Sequence, residues 1–170
     1  MIDSLKVILF SIIISIFYGI CHDLITAHIC VEYFTIAHPK VIESENPILL
    51  ALTWGILATW WVGLILSSFF LIAMKLGNYP VLYFKDIYKQ MFKLILIIGA
   101  LALIGGAIGY ILISTKTFSI SPHLAERLPN PKTHLPFLVC AWMHGTSYLV
   151  GFIGGIILSL KFWRKRKTII

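Results

Sequence analysis

The chain has 170 residues, of which 59% are hydrophobic and 12% charged, with a mean hydropathy of +0.92. Soluble domains carry about 25% charged residues, so this composition excludes an ordinary soluble fold and points to a chain solvated by lipid. The net charge of +7 does not imply a nucleic-acid partner: the basic residues gather at the ends of apolar runs and in "KFWRKRK" (161–167), where they set orientation and meet anionic lipid.

The first apolar run predicts a span over about 5–33. Its n-region has the single lysine Lys6, and no small-x-small site follows the run, so we expect a retained span rather than a cleaved signal. Its far end is "CHDLITAHICVEYFTIAHP" (21–39), with His22, Asp23, His28, Glu32 and His38. Continued as a helix, this stretch places His22, Asp23, Thr26, Cys30 and Tyr33 on one face, and His28, Glu32 and Thr35 on another. An aspartate near the bilayer centre costs roughly 2.5–3.5 kcal/mol on insertion scales, so the stretch should meet polar partners on other spans or line a wet cavity.

The second span is expected over about 47–74, entering at Pro47 with Thr53, Trp54, Thr59 and Trp60 in its outer half. The loop after it, "YFKDIYKQMFK" (83–93), interleaves apolar and basic residues and predicts an amphipathic segment along the membrane surface that leads into the third span. The third span, about 91–115, is apolar and rich in small residues; Gly105 and Gly109, like Gly151 and Gly155 of the fourth, form small-xxx-small pairs that let helices approach closely. The loop at 116–135 holds Pro122, Pro129 and Pro131, which predicts irregular structure long enough to fold back over the bundle. The fourth span, about 136–162, carries "CAWMHGTSY", with His144 roughly 12 Å below its entry point. That is the expected depth of His22 and His28.

Lys75, Lys85, Lys89, Lys93 and the basic tail all fall on one side of this arrangement. The positive-inside rule therefore predicts an all-α, four-helix transmembrane bundle with both termini cytoplasmic and the 38–46 and 116–135 loops outside. The three cysteines, Cys21, Cys30 and Cys140, lie in apolar sequence without a CxxC pair and read as small hydrophobes.

Imidazoles and carboxylates at a shared depth suit a divalent metal. The candidate ligands are His22, Asp23, His28, Glu32 and His144, with Thr26, Cys30, Tyr33, Trp54 and Tyr148 as pocket-lining residues. Three other readings stand beside it: a haem held by two histidines on different spans, a proton or ion pathway, and a satisfied hydrogen-bond network that locks a membrane interaction subunit together. No GxSxG or phosphate-cradling loop is present, and the residues define no reaction. Lipid is the partner the composition requires; the two small-xxx-small pairs also suit a homo-oligomer or docking of other membrane subunits.

The pattern His22-Asp23-x2-Thr26-x-His28-x-Cys30-x-Glu32-Tyr33-Phe34-Thr35-x2-His38-Pro39, followed by "WGILATWWVGL" (54–64) and "YLVGFIGG" (148–155), resembles a group of small, uncharacterised bacterial four-span membrane proteins carrying an HDxxTxHxCxEYFTxxHP motif. The resemblance covers most of the chain. It implies a multi-pass protein of a bacterial inner (plasma) membrane and no particular mechanism.

Overall fold

A chain surrounded by hydrocarbon must satisfy every backbone N–H and C=O internally, and an α-helix does so within one segment. The computed structural model, which describes residues 2–168, is accordingly helical: α1 (Ile2–Ile29), α2 (Val31–Ile36), α3 (Pro47–Leu57), α4 (Trp60–Lys75), α5 (Phe84–Ser114), α6 (Pro122–Arg127) and α7 (His134–Lys167), with a 3-10 turn at Pro131–Thr133. Among the described residues there is no strand. Four stretches are long and apolar enough to cross a membrane: α1, α3 with α4, α5, and α7 with the turn before it. The chain is a multi-pass membrane protein built as a four-helix transmembrane bundle.

The start of α1 and the ends of α4 and α7 meet at one end of the bundle, called here the termini end; Lys75 Nζ reaches Ser4 Oγ at 2.5 Å. The 37–46 and 115–133 loops occupy the distal end. Helix α1 packs along α3 and α4, and α5 along α7. Glycines make these contacts close. A Cβ added at Gly55 would lie 2.5 Å from the backbone N of Ile20, and one at Gly63 would lie 2.6 Å from the Ser11 carbonyl oxygen. On α5, Gly105 and Gly109 receive Thr146 and Trp142 of α7, as their small-xxx-small spacing predicts.

Four local features differ from the reading of the sequence. Helix α1 stops at Ile29, because Cys30 adopts an extended backbone (φ −155°, ψ 103°) before α2 begins. The second span is two helices, broken at Ala58 and Thr59, where the Thr59 hydroxyl donates back to the Gly55 carbonyl at 2.5 Å. Such side-chain insertion into the helical ladder is a recognised cause of a break. The 84–93 stretch is no separate surface helix but the first turns of α5, with Phe84 and Tyr88 packed on Phe10. The 116–135 loop contains α6 and the 3-10 turn, capped by Ser121 and Asn130. It does fold back over the bundle: Arg127 donates to the Ile36 carbonyl, and Leu128 is buried against Phe137 and Cys140.

The termini half is filled by apolar side chains, among them Val7, Phe70, Met74, Ile87, Met91 and Phe162. Two of its serines are bonded to their own helices: Ser11 donates to the Val7 carbonyl (2.8 Å) and Ser67 to that of Leu64 (2.7 Å). At the very end, Arg166 is fully buried. Its guanidinium donates to the carbonyls of Ala73 (3.0 Å), Leu76 (2.8 Å), Tyr79 (2.8 Å) and Pro80 (2.8 Å). These are the orphan acceptors of the α4 C-terminus and the loop beyond it.

Candidate metal centre in the distal half

Helix α1 brings Tyr18, His22 and Asp23 toward α7, which brings His144 and Ser147. The spacing explains the grouping: Tyr18 and His22 are one helical turn apart, as are His144 and Tyr148. His22 and Asp23 are buried, at 7% and 4% exposure, within a helix long and apolar enough to cross a membrane. His144 Nε2 lies 3.1 Å from Asp23 Oδ1, and its Nδ1 lies 2.9 Å from the Cys140 carbonyl. The His22 and His144 rings meet edge to face with centroids 4.5 Å apart.

Proton counting makes this pair unusual. A carbonyl can only accept, so Nδ1 of His144 carries a proton and donates it to Cys140. A neutral ring then presents Nε2 as an acceptor, facing a carboxylate that is also an acceptor when ionised. Nε2 and Asp23 Oδ1 must therefore share an additional proton, or a cation must stand between them.

His22 carries the second anomaly. Its Nδ1 lies 3.3 Å from Tyr18 Oη, which in turn lies 2.5 Å from Ser147 Oγ. When Nδ1 donates to Tyr18 and Tyr18 donates to Ser147, Nε2 of His22 keeps a bare lone pair. That Nε2 is buried and has no hydrogen-bond partner. An orphaned buried polar atom costs about 1–3 kcal/mol and calls for an explanation. His22, Asp23 and His144 each offer one ligand atom, all within 4.8 Å of one another. Backbone and hydroxyl partners on the other imidazole nitrogens are the usual means of orienting histidine ligands.

The cluster borders a cavity of about 90 Å³. Tyr33 and Phe34 of α2 form one wall, with the Tyr33 ring 4.5 Å from that of His144. Trp54, Ala58 and Thr59 form another, so the break in the second span faces the cavity. Tyr148 closes a third side and reaches the Ala58 carbonyl at 3.4 Å.

Of the five ligands expected from sequence, three come together and two do not. His28 is exposed, and its Nδ1 lies 2.6 Å from the Leu24 carbonyl of its own helix. Glu32 accepts from the Cys30 thiol at 3.3 Å and lines an outer groove instead. The break at Cys30 swings the chain after Ile29 out of the α1 register, so the i,i+4 pairing of His28 with Glu32 does not form a site. Tyr33, Trp54 and Tyr148 line the cavity. Thr26 and Cys30 are buried beside it instead: Thr26 Oγ1 bonds the His22 carbonyl at 3.2 Å, and Cys30 packs with Leu128 and Cys140.

Two residues of the wall had weaker signals in the sequence. Tyr18 precedes His22 by one turn, which was the only clue to it. His38 reads as a helix-end residue at the surface, yet it lines the cavity, stacked on Phe34 at 5.6 Å and close to Trp54. Burial holds its imidazole below the usual histidine range, so it is a neutral aromatic surface at pH 7. His134 bonds the Leu128 carbonyl at 2.7 Å and His123 is exposed, both outside the cluster.

Comparisons with protein-family models, with curated proteins and with solved structures find no match. Fold and site together define the class: a multi-pass α-helical membrane protein with a buried His/Asp/His cluster beside a small cavity.

Proposed function

We propose that the distal cavity binds a divalent transition-metal ion through His22, Asp23 and His144, with the protein seated in a bacterial inner membrane, termini cytoplasmic and the cavity in the outer half. The observation that carries the reading is the partnerless Nε2 of His22, held within ligand distance of an Asp23–His144 pair in which two acceptors face each other. A cation removes both problems at once. Two imidazoles and one carboxylate suit zinc or ferrous iron and leave a coordination position free. A metal ion fits better than haem, since histidine rings in edge-to-face contact at 4.5 Å leave no slot for a porphyrin. A proton pathway has less support, because Ser11 and Ser67 of the apolar termini half are bonded to their own helices. No reaction is proposed.

Protein purified in detergent without chelator should carry stoichiometric transition metal by elemental analysis. Asp23→Asn and His144→Ala should lose it while keeping their helicity and elution volume. Tyr18→Phe removes only the group that orients His22, and should weaken metal affinity roughly 10–100-fold. A metal-free wild type, or metal retained in both ligand variants, would sink the reading. The cluster would then be a hydrogen-bond network that ties α1 to α7 for the sake of assembly.

A further inference from the structure

A second space touches the same histidine. Between α1 and α5 runs a groove of about 360 Å³, open to the surroundings of the bundle and walled almost wholly by hydrocarbon side chains. Ile13, Phe17 and Ile25 line it on α1, and Phe92, Leu96 and Leu103 on α5. Its two polar wall residues that also border the metal cavity are Tyr18 and His22. Gly99 forms part of its floor: a Cβ there would meet only the Tyr18 ring, at 3.6 Å.

The dimensions of the groove match one leaflet. From Ile13 to Ile25 it follows twelve residues of α1, about 18 Å at 1.5 Å per residue; half of the hydrocarbon core is about 15 Å. Helix α1 has 28 residues and is about 42 Å long. Centred in a core about 30 Å thick, it overhangs by about 6 Å at each end. His22, seven residues before Ile29, then lies only about 5 Å inside the boundary where glycerol esters sit. The apolar part of the groove continues from there toward the bilayer centre. Three residues in from its head end at Ile25 stands a side chain, His22, that is more than nine-tenths buried and whose Nε2 has no partner.

We infer that the α1/α5 groove is a lateral lipid site: one acyl chain of a glycerophospholipid of the distal leaflet lies along it, with the ester end by Ile25, within one helical turn of His22 and the metal cavity. The ligand class of the proposed metal site is then a membrane lipid that arrives from within the bilayer. That second clause rests on the metal reading; the groove itself does not.

The test uses the full chain in phospholipid vesicles doped with a phosphatidylcholine that carries a diazirine on one acyl chain. After photolysis, labelled positions are mapped by peptide mass spectrometry, and metal is measured on the same samples. Labelling of the Ile13–Ile25 and Phe92–Leu103 stretches should saturate with probe, while labelling of the outer face of α7 at Leu149, Ile153 and Ile156 should rise linearly. Gly99→Trp should cut groove labelling at least about fivefold and leave α7 labelling and metal content unchanged. Leu103→Trp, at an exposed position, should do the same if Gly99→Trp fails to fold. His144→Ala should lose metal and keep the saturable labelling. Linear labelling of the groove, or saturable labelling indifferent to both tryptophans, would overturn the inference. Competition by free palmitate and none by unlabelled phospholipid would overturn it as well. Saturable labelling of a metal-free wild type would instead overturn the metal reading and leave the lipid groove standing.

Discussion

Arg166→Ala should be among the most destabilising substitutions in the chain, lowering the unfolding free energy in detergent by about 3–4 kcal/mol. The figure follows from four backbone carbonyls that lose their donor at roughly 1 kcal/mol each, the low end of the cost of an orphaned buried acceptor, since the site lies at the end of the bundle where some water can enter. Arg166→Lys should recover less than half of the loss. An ammonium keeps the charge but lacks the planar fork that reaches Ala73, Leu76, Tyr79 and Pro80 together. Arg164→Ala and Lys165→Ala remove the same charge from exposed positions and should change stability by less than about 0.5 kcal/mol. Denaturation by SDS titration, followed by far-UV circular dichroism, separates these outcomes. Equal losses at positions 164, 165 and 166 would mean that only the charge of the tail matters.

Gly55→Ala should be nearly as damaging, although it adds a single methyl group and raises helix propensity. The new Cβ would stand 2.5 Å from the Ile20 nitrogen and 2.6 Å from its Cα. Those atoms are backbone, so no rotamer change relieves the contact and α1 must move away from α3. Overpacking of this kind costs about 1–3 kcal/mol, occasionally more, and the upper part of that range is expected here. Because α1 carries His22 and Asp23, the same variant should also lose metal. Gly145→Ala is the control: nothing lies within 4 Å of its added Cβ, and both stability and metal content should be retained. Wild-type behaviour of Gly55→Ala would show that the α1–α3 contact is looser than described.

The bundle was legible because hydropathy alone decides which segments can lie in lipid. Helix number and the depth match of His22 with His144 followed from that and from 1.5 Å per residue. The membership of the cluster was only half legible. His28 and Glu32 were grouped with His22 by depth, although an unbroken helix already sets them on another face, and nothing in "TAHICVE" (26–32) marks Cys30 as a break; no proline or glycine stands there. The break at Ala58–Thr59 was hidden for the same reason, since a threonine in a span bonds its own carbonyls whether or not the helix bends. His38 looked solvated because its burial depends on Trp54 and Phe34, residues that local sequence cannot bring together. Arg166 was misread most completely. In the sequence it is one of five basic residues in a tail, and the carbonyls that hold it lie 86 to 93 residues earlier.

That separation has a consequence for the order in which the protein is made. The C-terminal end of α4 leaves the ribosome with its last carbonyls uncapped, and the donor that will satisfy them is encoded some ninety residues downstream. Until α7 has been synthesised and threaded across the membrane, the second span has a frayed end at the water boundary. Insertion of the first three spans is thus provisional, and docking of the fourth locks the second span in register. A chain truncated before residue 166 should hold inserted but unsealed helices, open to membrane proteases, whereas the released chain that carries Arg166 should be resistant.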